Sequence, residues 1–314
     1  MFERKRKEQK MSKDYIIGID HGNGFIKTAG SVFASGVEEY KVEPPMLDGV
    51  LKYLDSYYVI GENRKAYHPD KTLTQDYYLL TLAALAKEID LRRYPREGGS
   101  YILACGLPIE FFGGQRDSFQ KYLQQKKEVY FYYSGKPYHV KIKKAIIFPQ
   151  GYAVVAPRIK DYEGRVNIID VGSGTIDILQ LIDRKPQLSR CISLPMGILT
   201  CIDEIQKYFR MKYNAELDDY SIQNVLQMKN GDLPEDIEKE IQVLIRDYIK
   251  KALAELEQKG INFHFQKCCF CCGGSTVFKN YGELTGKNIS FLTDISANAK
   301  GFEWLCKGME KSLN

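Results

Sequence analysis

The sequence predicts an α/β fold, and three observations carry that prediction. Strand-like apolar runs alternate with helical patterns along the chain. A strand, a glycine-rich turn and a second strand occur twice, at 15–33 and again at 166–182. The length of 314 residues fits two packed domains or one large one, and an apolar content of 44% suits a buried core.

The elements follow in order. Tyr15–Ile19 reads as a first buried strand, and Gly24–Phe33 as a second after the turn. A polar region runs from Gly36 to Glu62. Asp76–Glu88 is helical, with Tyr77, Leu80, Leu82, Ala84, Leu85 and Ile89 as its apolar set. Tyr101–Ala104 is a short buried strand and Phe111–Gln125 a helix. Val129–Tyr133 and Tyr138–Ile142 form a hairpin through Ser134-Gly135-Lys136-Pro137. Ile146–Phe148 leads through Pro149-Gln150-Gly151 into a helix of small residues, Tyr152–Ala156. The second half repeats the opening, with Val166–Val171 turning into Thr175–Ile182. Helices follow at Ile198–Phe209 and Pro234–Gln258, the latter with a stripe that includes Ile237, Ile241, Ile245, Ile249 and Leu256. A cysteine-rich strand and a helix at Ala297–Lys311 complete the pattern.

Charge and composition exclude several classes. The ordinary apolar fraction excludes wholesale disorder and collagen-like or coiled-coil rods. No run approaches the roughly eighteen apolar residues a membrane span needs, so a cytoplasmic protein without a membrane partner is expected. Of the formal net charge of +5, residues 1–10 supply +3, through Arg4, Lys5, Arg6, Lys7 and Lys10 against Glu3 and Glu8. The remaining body is nearly neutral, unlike most nucleic-acid readers. No apolar stretch backs residues 1–10, so they read as a disordered basic tail and not as a secretory signal.

The eight cysteines suggest a reducing compartment. Cys268-Cys269-Phe270-Cys271-Cys272 holds two overlapping C-x-x-C spacings, which raises zinc. Phe263-His264-Phe265 before it reads as a buried strand that continues into the cluster. Residues three apart on a strand face opposite sides, so packing is the expectation and neither pair converges on a metal.

Three glycine turns carry the chemistry. Ile19-Asp20-His21-Gly22-Asn23-Gly24-Phe25-Ile26-Lys27 is a strand that ends in an aspartate and turns back through two glycines. Glycine lets a backbone approach a phosphate closely and leaves amide N–H groups to bind it. Asp20 can hold the water shell of Mg²⁺, and Lys27 supplies positive charge. Ile169-Asp170-Val171-Gly172-Ser173-Gly174-Thr175-Ile176-Asp177 repeats the logic, and Gly273-Gly274-Ser275 ends a third strand. Each turn alone is also a common hairpin. None is a Walker or Rossmann loop.

Together, Asp20–Lys27, Asp170–Asp177 and Gly273–Ser275 resemble the phosphate-1, phosphate-2 and adenosine motifs of the actin/Hsp70/sugar-kinase superfamily. Four segments narrow the likeness to the bacterial actin-like plasmid-segregation proteins of the ParM group. They are Ile60–Asn63, Gly106-Leu107-Pro108, Phe148–Ala153 and Ala297–Phe302. The resemblance covers about residues 15 to 302.

The resemblance implies an actin-like ATPase fold, with two duplicated ribonuclease-H-like domains flanking a nucleotide cleft. Domain I would comprise 11–165 plus 296–314, with an insertion at about 36–95. Domain II would comprise 166–295, with an insertion at about 198–263. Asp20 and Asp170 would face each other across Mg²⁺, held through water. Gly22, Asn23, Gly24, Lys27, Gly172, Ser173, Gly174 and Thr175 would hold the phosphates of ATP or GTP. Glu204 and Lys207 would lie near the ribose and base, with Gly273, Gly274 and Ser275 against the nucleotide. Gln150 would orient the attacking water.

Some readings stay open. Asp177 lies near that water or faces solvent, and Lys27 pairs with phosphate or sits on an exposed edge. For Glu204 and Lys207, surface charge on an amphipathic helix is the stronger of the two readings. His21 has no assigned role. The implied function is a filament-forming, nucleotide-dependent motor for plasmid segregation. Its partners would be copies of itself, a ParR-like centromere-binding adaptor and, indirectly, plasmid DNA. A small-molecule kinase of the same superfamily is the alternative.

Overall fold

The structure, a computed structural model, describes residues 13–62, 70–229, 231 and 233–313. The basic tail at 1–10 and Asn63 lie outside the described residues.

The first strand β1 (Asp14–His21) turns back into β2 (Phe25–Thr28), and β3 (Val32–Ala34) returns along β2. The single strand expected at 24–33 is therefore two. Ala29-Gly30 turns the chain between them, closed by Thr28 N–H donating to Ser31 O at 2.8 Å. The polar region after Gly36 holds three further strands, β4 (Val37–Tyr40), β5 (Val50–Tyr53) and β6 (Ser56–Ile60). Glu38 and Glu39 on β4 and Lys52 on β5 break the apolar alternation, which masked these strands as loop. Helix α1 (Asp76–Arg92), strand β7 (Glu97–Leu107) and helix α2 (Ile109–Leu123) follow. Strands β8 (Glu128–Tyr133) and β9 (Lys136–Pro149) meet in a two-residue turn, with Ser134 and Gly135 both at positive φ.

The nine strands form one sheet in the order β3-β2-β1-β7-β9-β8-β5-β6-β4, with β1, β7 and β9 mutually parallel. The strands of the 36–95 segment extend the sheet through the β5–β8 pairing, and α1 joins the same core as β1 and β7.

A short helix α3 (Tyr152–Val155) and a 3-10 turn (Ala156–Asp161) lead to the second sheet. It holds β10 (Arg165–Val171), β11 (Ile176–Ile182), β12 (Lys185–Pro186) and β13 (Ile192–Leu194). Three helices come next: α4 (Ile198–Tyr213), α5 (Asp219–Leu226) and α6 (Glu235–Gln258). Helix α5, too short to show a period in the sequence, is capped by Asp218, which accepts the Ser221 N–H at 2.8 Å. Helix α6 buries Ile241, Ile245, Tyr248, Ile249, Ala252 and Leu256 on one stripe and carries Glu235, Asp236 and Glu238 in its first turn.

Strand β14 (Lys267–Cys271), helix α7 (Ser275–Tyr281), strand β15 (Ile289–Leu292) and helix α8 (Ala297–Leu313) complete the chain. The strand expected at 263–265 is a turn instead, closed by Asn262, and Phe265 is 86% exposed. The second sheet runs β12-β11-β10-β14-β15, with β13 also on β11 and with β10, β14 and β15 parallel. Both sheets therefore hold an antiparallel hairpin, β1–β2 or β10–β11, with a parallel strand against its first member. Helix α8 packs back on the first sheet, where Phe302 and Cys306 join Ile102, Ala104 and Phe148. Among the described residues no helix is long and apolar enough to cross a membrane.

Candidate functional site

The two hairpin turns meet. A Cβ on Gly24 would lie 2.7 Å from Ser173 Oγ, so the turn of the first sheet touches the turn of the second. Gly22 is equally confined, because its Cβ would fall 2.6 Å from Phe25 O and 2.9 Å from Lys27 Nζ.

In the first hairpin the register sets Asp20 opposite Lys27. Lys27 Nζ reaches Asp20 Oδ2 at 3.2 Å, with both side chains buried. The Lys27 pKa stands above the ordinary lysine value: burial pulls it down, and Asp20, Cys272 and Asp170 together more than offset that. The exposed-edge reading of Lys27 is therefore excluded.

In the second hairpin Asp170 pairs with Asp177, and Gly172 N–H donates to Thr175 O at 2.9 Å to close the turn. The first N–H groups of α4 take the turn's carbonyls, with Ile198 donating to Gly172 O and Leu199 to Ser173 O, while Gly197 N–H donates to Gly174 O. In a trans peptide the N–H points opposite to the C=O. The amides of Ser173, Gly174 and Thr175 accordingly point away from the helix.

Asp20, Gly22, Asn23, Lys27, Gln150, Asp170, Gly172, Ser173, Gly174, Thr175 and Asp177 all line one cavity between the sheets. Gln150, at the end of β9, donates its side-chain amide to Asp20 Oδ1 at 2.7 Å. Asp177 lines the cavity and accepts from Thr175 Oγ1 at 2.9 Å, so the solvent-facing reading does not hold. Burial raises its pKa. Burial also raises the Asp170 pKa to about 6, against hydrogen bonds from Cys272 and Asn298 that lower it.

Three lining residues escaped the sequence reading. Lys71 is buried and donates to the His21 carbonyl. Burial lowers its pKa to about 8. Asn298, at the start of α8, donates to Asp170 Oδ2 at 3.0 Å and to Cys272 Sγ at 3.3 Å, while its Oδ1 accepts the Gly151 N–H. Cys272 follows the end of β14 at φ 68° and lines the cavity. The Cys271 hydrogen bond, burial and the Asp170 charge all raise its pKa. Lys71 belongs to no motif, Cys272 stood in the cysteine cluster read as packing, and Asn298 stood in the Ala297–Phe302 segment without an assigned role.

His21 is packed edge-on against Phe119 and hydrogen-bonded through Nε2 to Thr81 Oγ1 at 2.8 Å. Burial lowers its pKa to about 3, so it is a neutral anchor beneath the turn.

A second cavity of about 470 Å³ adjoins the first, and Lys27, Gly172 and Ser173 line both. Leu199, Ile202, Leu226, Gly273, Gly274 and Val277 give it apolar walls, with Gln223 and Gln227 at its polar side. Ser275 does not line it. Its hydroxyl donates to Cys272 O at 2.6 Å and pins the Gly273-Gly274 turn. Glu204 and Lys207 also stand outside the cavity, on the exposed face of α4, where Glu204 pairs with Lys251 at 3.2 Å. Five positions along a helix turn about 140°, so Leu199 and Ile202 face the cavity while Glu204 and Lys207 face away.

The donor set at the turns suits a hard cation. Asp20 and Asp170 offer carboxylate oxygens from opposite sheets into one cavity, the ligand chemistry of Mg²⁺.

Residues 18–152 match the family described as the N-terminal domain of actin-like proteins. Solved structures extend the likeness over nearly the whole chain. A 15-stranded ParM filament from Clostridium botulinum superposes with a TM-score of 0.75 at 18% identity, covering 95% of this chain and 100% of that one. The chain has the actin-like fold. An archaeal actin homologue in complex with ADP shares that fold at a TM-score of 0.71 and 17% identity, covering 93% and 99% of the two chains. A Bacillus thuringiensis ParM with ATP gives 0.65 at 16%, covering 95% and 99%. By sequence, no curated protein matches significantly. Both cavities are lined by residues from the two sheets.

Proposed function

We propose that the chain is a nucleotide-dependent, filament-forming actin-like ATPase of the ParM group, acting in plasmid segregation. One observation carries the reading: two glycine turns that each follow a strand-end aspartate, from separate sheets, line a single polar cavity beside an apolar cavity of about 470 Å³. A triphosphate in the first and a purine nucleoside in the second match those two chemistries. The solved relatives include a ParM filament and a ParM with ATP, which supports assembly and nucleotide binding as the coupled activity.

In this reading Gly22, Asn23 and Gly24 from one side, and Gly172 to Thr175 from the other, cradle the phosphates with backbone amides. Lys27 and Lys71 balance their charge. Asp20 and Asp170 would hold Mg²⁺, which would supply charge neutralisation of the phosphates. Gln150 and Asp177 lie at the same cavity, positioned to orient water near the terminal phosphate. Ligands that bridge both sheets draw the halves together, which couples the nucleotide to the shape of the subunit and so to its contacts with neighbouring copies. Capture of plasmid DNA would run through a ParR-like centromere-binding adaptor in the cytoplasm.

The test is light scattering and pelleting of the purified protein with ATP or GTP and Mg²⁺, followed by electron microscopy. Nucleotide-triggered filaments are expected, with phosphate release that rises with protein concentration. No assembly with either nucleotide would overturn the reading. Phosphate release that requires a small acceptor and ignores protein concentration would make the chain a kinase.

A further inference from the structure

We propose that Asp170, Cys271 and Cys272 form a binding site for one thiophilic divalent cation of the zinc class. One carboxylate oxygen and the two sulfurs lie within 4.8 Å of one another, and all three residues are buried. Two features of the chain create this grouping. Parallel pairing sets Asp170 directly beside Cys271, so their side chains share a face of the sheet. The strand then ends, and Cys272 takes a left-handed φ of 68°, which turns its side chain back toward the same point.

The C-x-x-C spacings are not the ones that count. Cys268 packs into a different core from Cys271, as strand alternation requires. Cys269 and Cys272 do border one core, because Cys272 lies past the strand end, yet Cys269 is outside the close group. The convergent pair is the adjacent one.

The rest of the site has the form of an open metal centre. Cys272 and Asp170 line the cleft cavity, which provides an entry path and an open fourth position for water or a phosphate oxygen. Asn298 donates to both Asp170 and Cys272 and is itself held by the Gly151 N–H, an outer partner that fixes the two ligands. On binding, each thiol releases its proton to solvent as its sulfur–metal bond forms. Two thiolates, a carboxylate and a divalent cation leave one net negative charge. Lys27, on the same cavity, offsets it. Thiolate ligands select such a cation over Mg²⁺, which prefers oxygen. The site shares Asp170 with the nucleotide reading but does not depend on it.

The experiment is a Cd²⁺ titration of the reduced, metal-free full chain without nucleotide, read by the thiolate-to-cadmium ultraviolet band. Competition with Zn²⁺ and X-ray absorption of the zinc form accompany it. One cation per chain is expected, with two sulfurs at about 2.3 Å from zinc and lighter ligands at about 2.0 Å. Cys271→Ala and Cys272→Ala should each weaken binding on the order of 100-fold or more, and Cys268→Ala should leave it unchanged. Circular dichroism of each variant separates ligand loss from misfolding. The wild-type absorption spectrum tests the site even if a variant fails to fold. Absence of sulfur ligation in the wild type, or unchanged binding in folded Cys272→Ala, overturns the proposal.

Discussion

Gln150 donates its side-chain amide to Asp20 Oδ1 at 2.7 Å, linking the end of β9 to the end of β1 across the floor of the cleft. Asp20 also accepts from Lys27 at 3.2 Å, so removal of the glutamine leaves the carboxylate paired. Gln150→Ala should therefore spare nucleotide affinity, within about threefold, and slow phosphate release by about 100-fold, as loss of one positioning donor does elsewhere. Single-turnover phosphate release and a fluorescent-nucleotide titration check this. An unchanged rate would remove Gln150 from hydrolysis.

Lys71 gives the site a pH dependence. Its buried ammonium has a pKa near 8, pulled down by burial and by Lys27 and held up by Asp20 and Asp177. The folded value lies below the ordinary lysine value, so the charge costs stability below pH 8. That cost is relieved as pH rises from 8 to the unfolded value. A bound polyphosphate favours the charged form, so nucleotide affinity should fall as pH rises past 8, by up to about tenfold per pH unit. Lys71→Met should bind more weakly at pH 7 and show a flat profile. An equally steep profile in the variant would assign the dependence to another group.

The contact between the two turns is tight enough to test by a single methyl. Gly24→Ala places a Cβ against Ser173 Oγ and wedges the cleft. Nucleotide affinity should drop about tenfold, equivalent to about 1.4 kcal/mol. Adding Ser173→Gly should return it to within about threefold of the parent with Ser173→Gly alone. Additive losses in the double variant would show that the turns do not press on each other.

Gly301 permits α8 to lie directly on α3, since its Cβ would clash with the backbone carbonyl of Ala153. Backbone cannot rotate away as a side chain can. Gly301→Ala should cost about 1–3 kcal/mol by urea unfolding, whereas Gly308→Ala, with open space around it, should be neutral or stabilising.

The hairpins with their glycine turns were legible because alternation, aspartate and glycine all act locally. The same local reading placed β10 and β11 within one residue of their observed starts. It failed for β4 to β6, where Glu38, Glu39 and Lys52 interrupt the apolar alternation of the strands. Within the cleft, the turn residues were visible in the sequence, whereas Lys71 carried no signal, Cys272 read as packing and Asn298 had no role beyond its segment. Their place depends on pairing between segments up to 147 residues apart, as between Asn298 and Gly151. Glu204 and Lys207 fall to the surface-charge reading for a rotational reason: α4 borders the cavity, and they sit on its other side.

Helix α8 follows the whole second sheet in sequence yet covers β1 and β7 of the first. Its Glu303 accepts the Gly18 N–H at 3.0 Å and pairs with Arg92, so the first half reaches its native packing only after the second has been made. On the ribosome, the amino-terminal half must wait with an uncovered sheet face while the other half folds. Asn298 on that same helix touches Asp170. Completion of the first half and completion of the cleft are thus a single late event, which keeps partly synthesised chains from presenting a finished site.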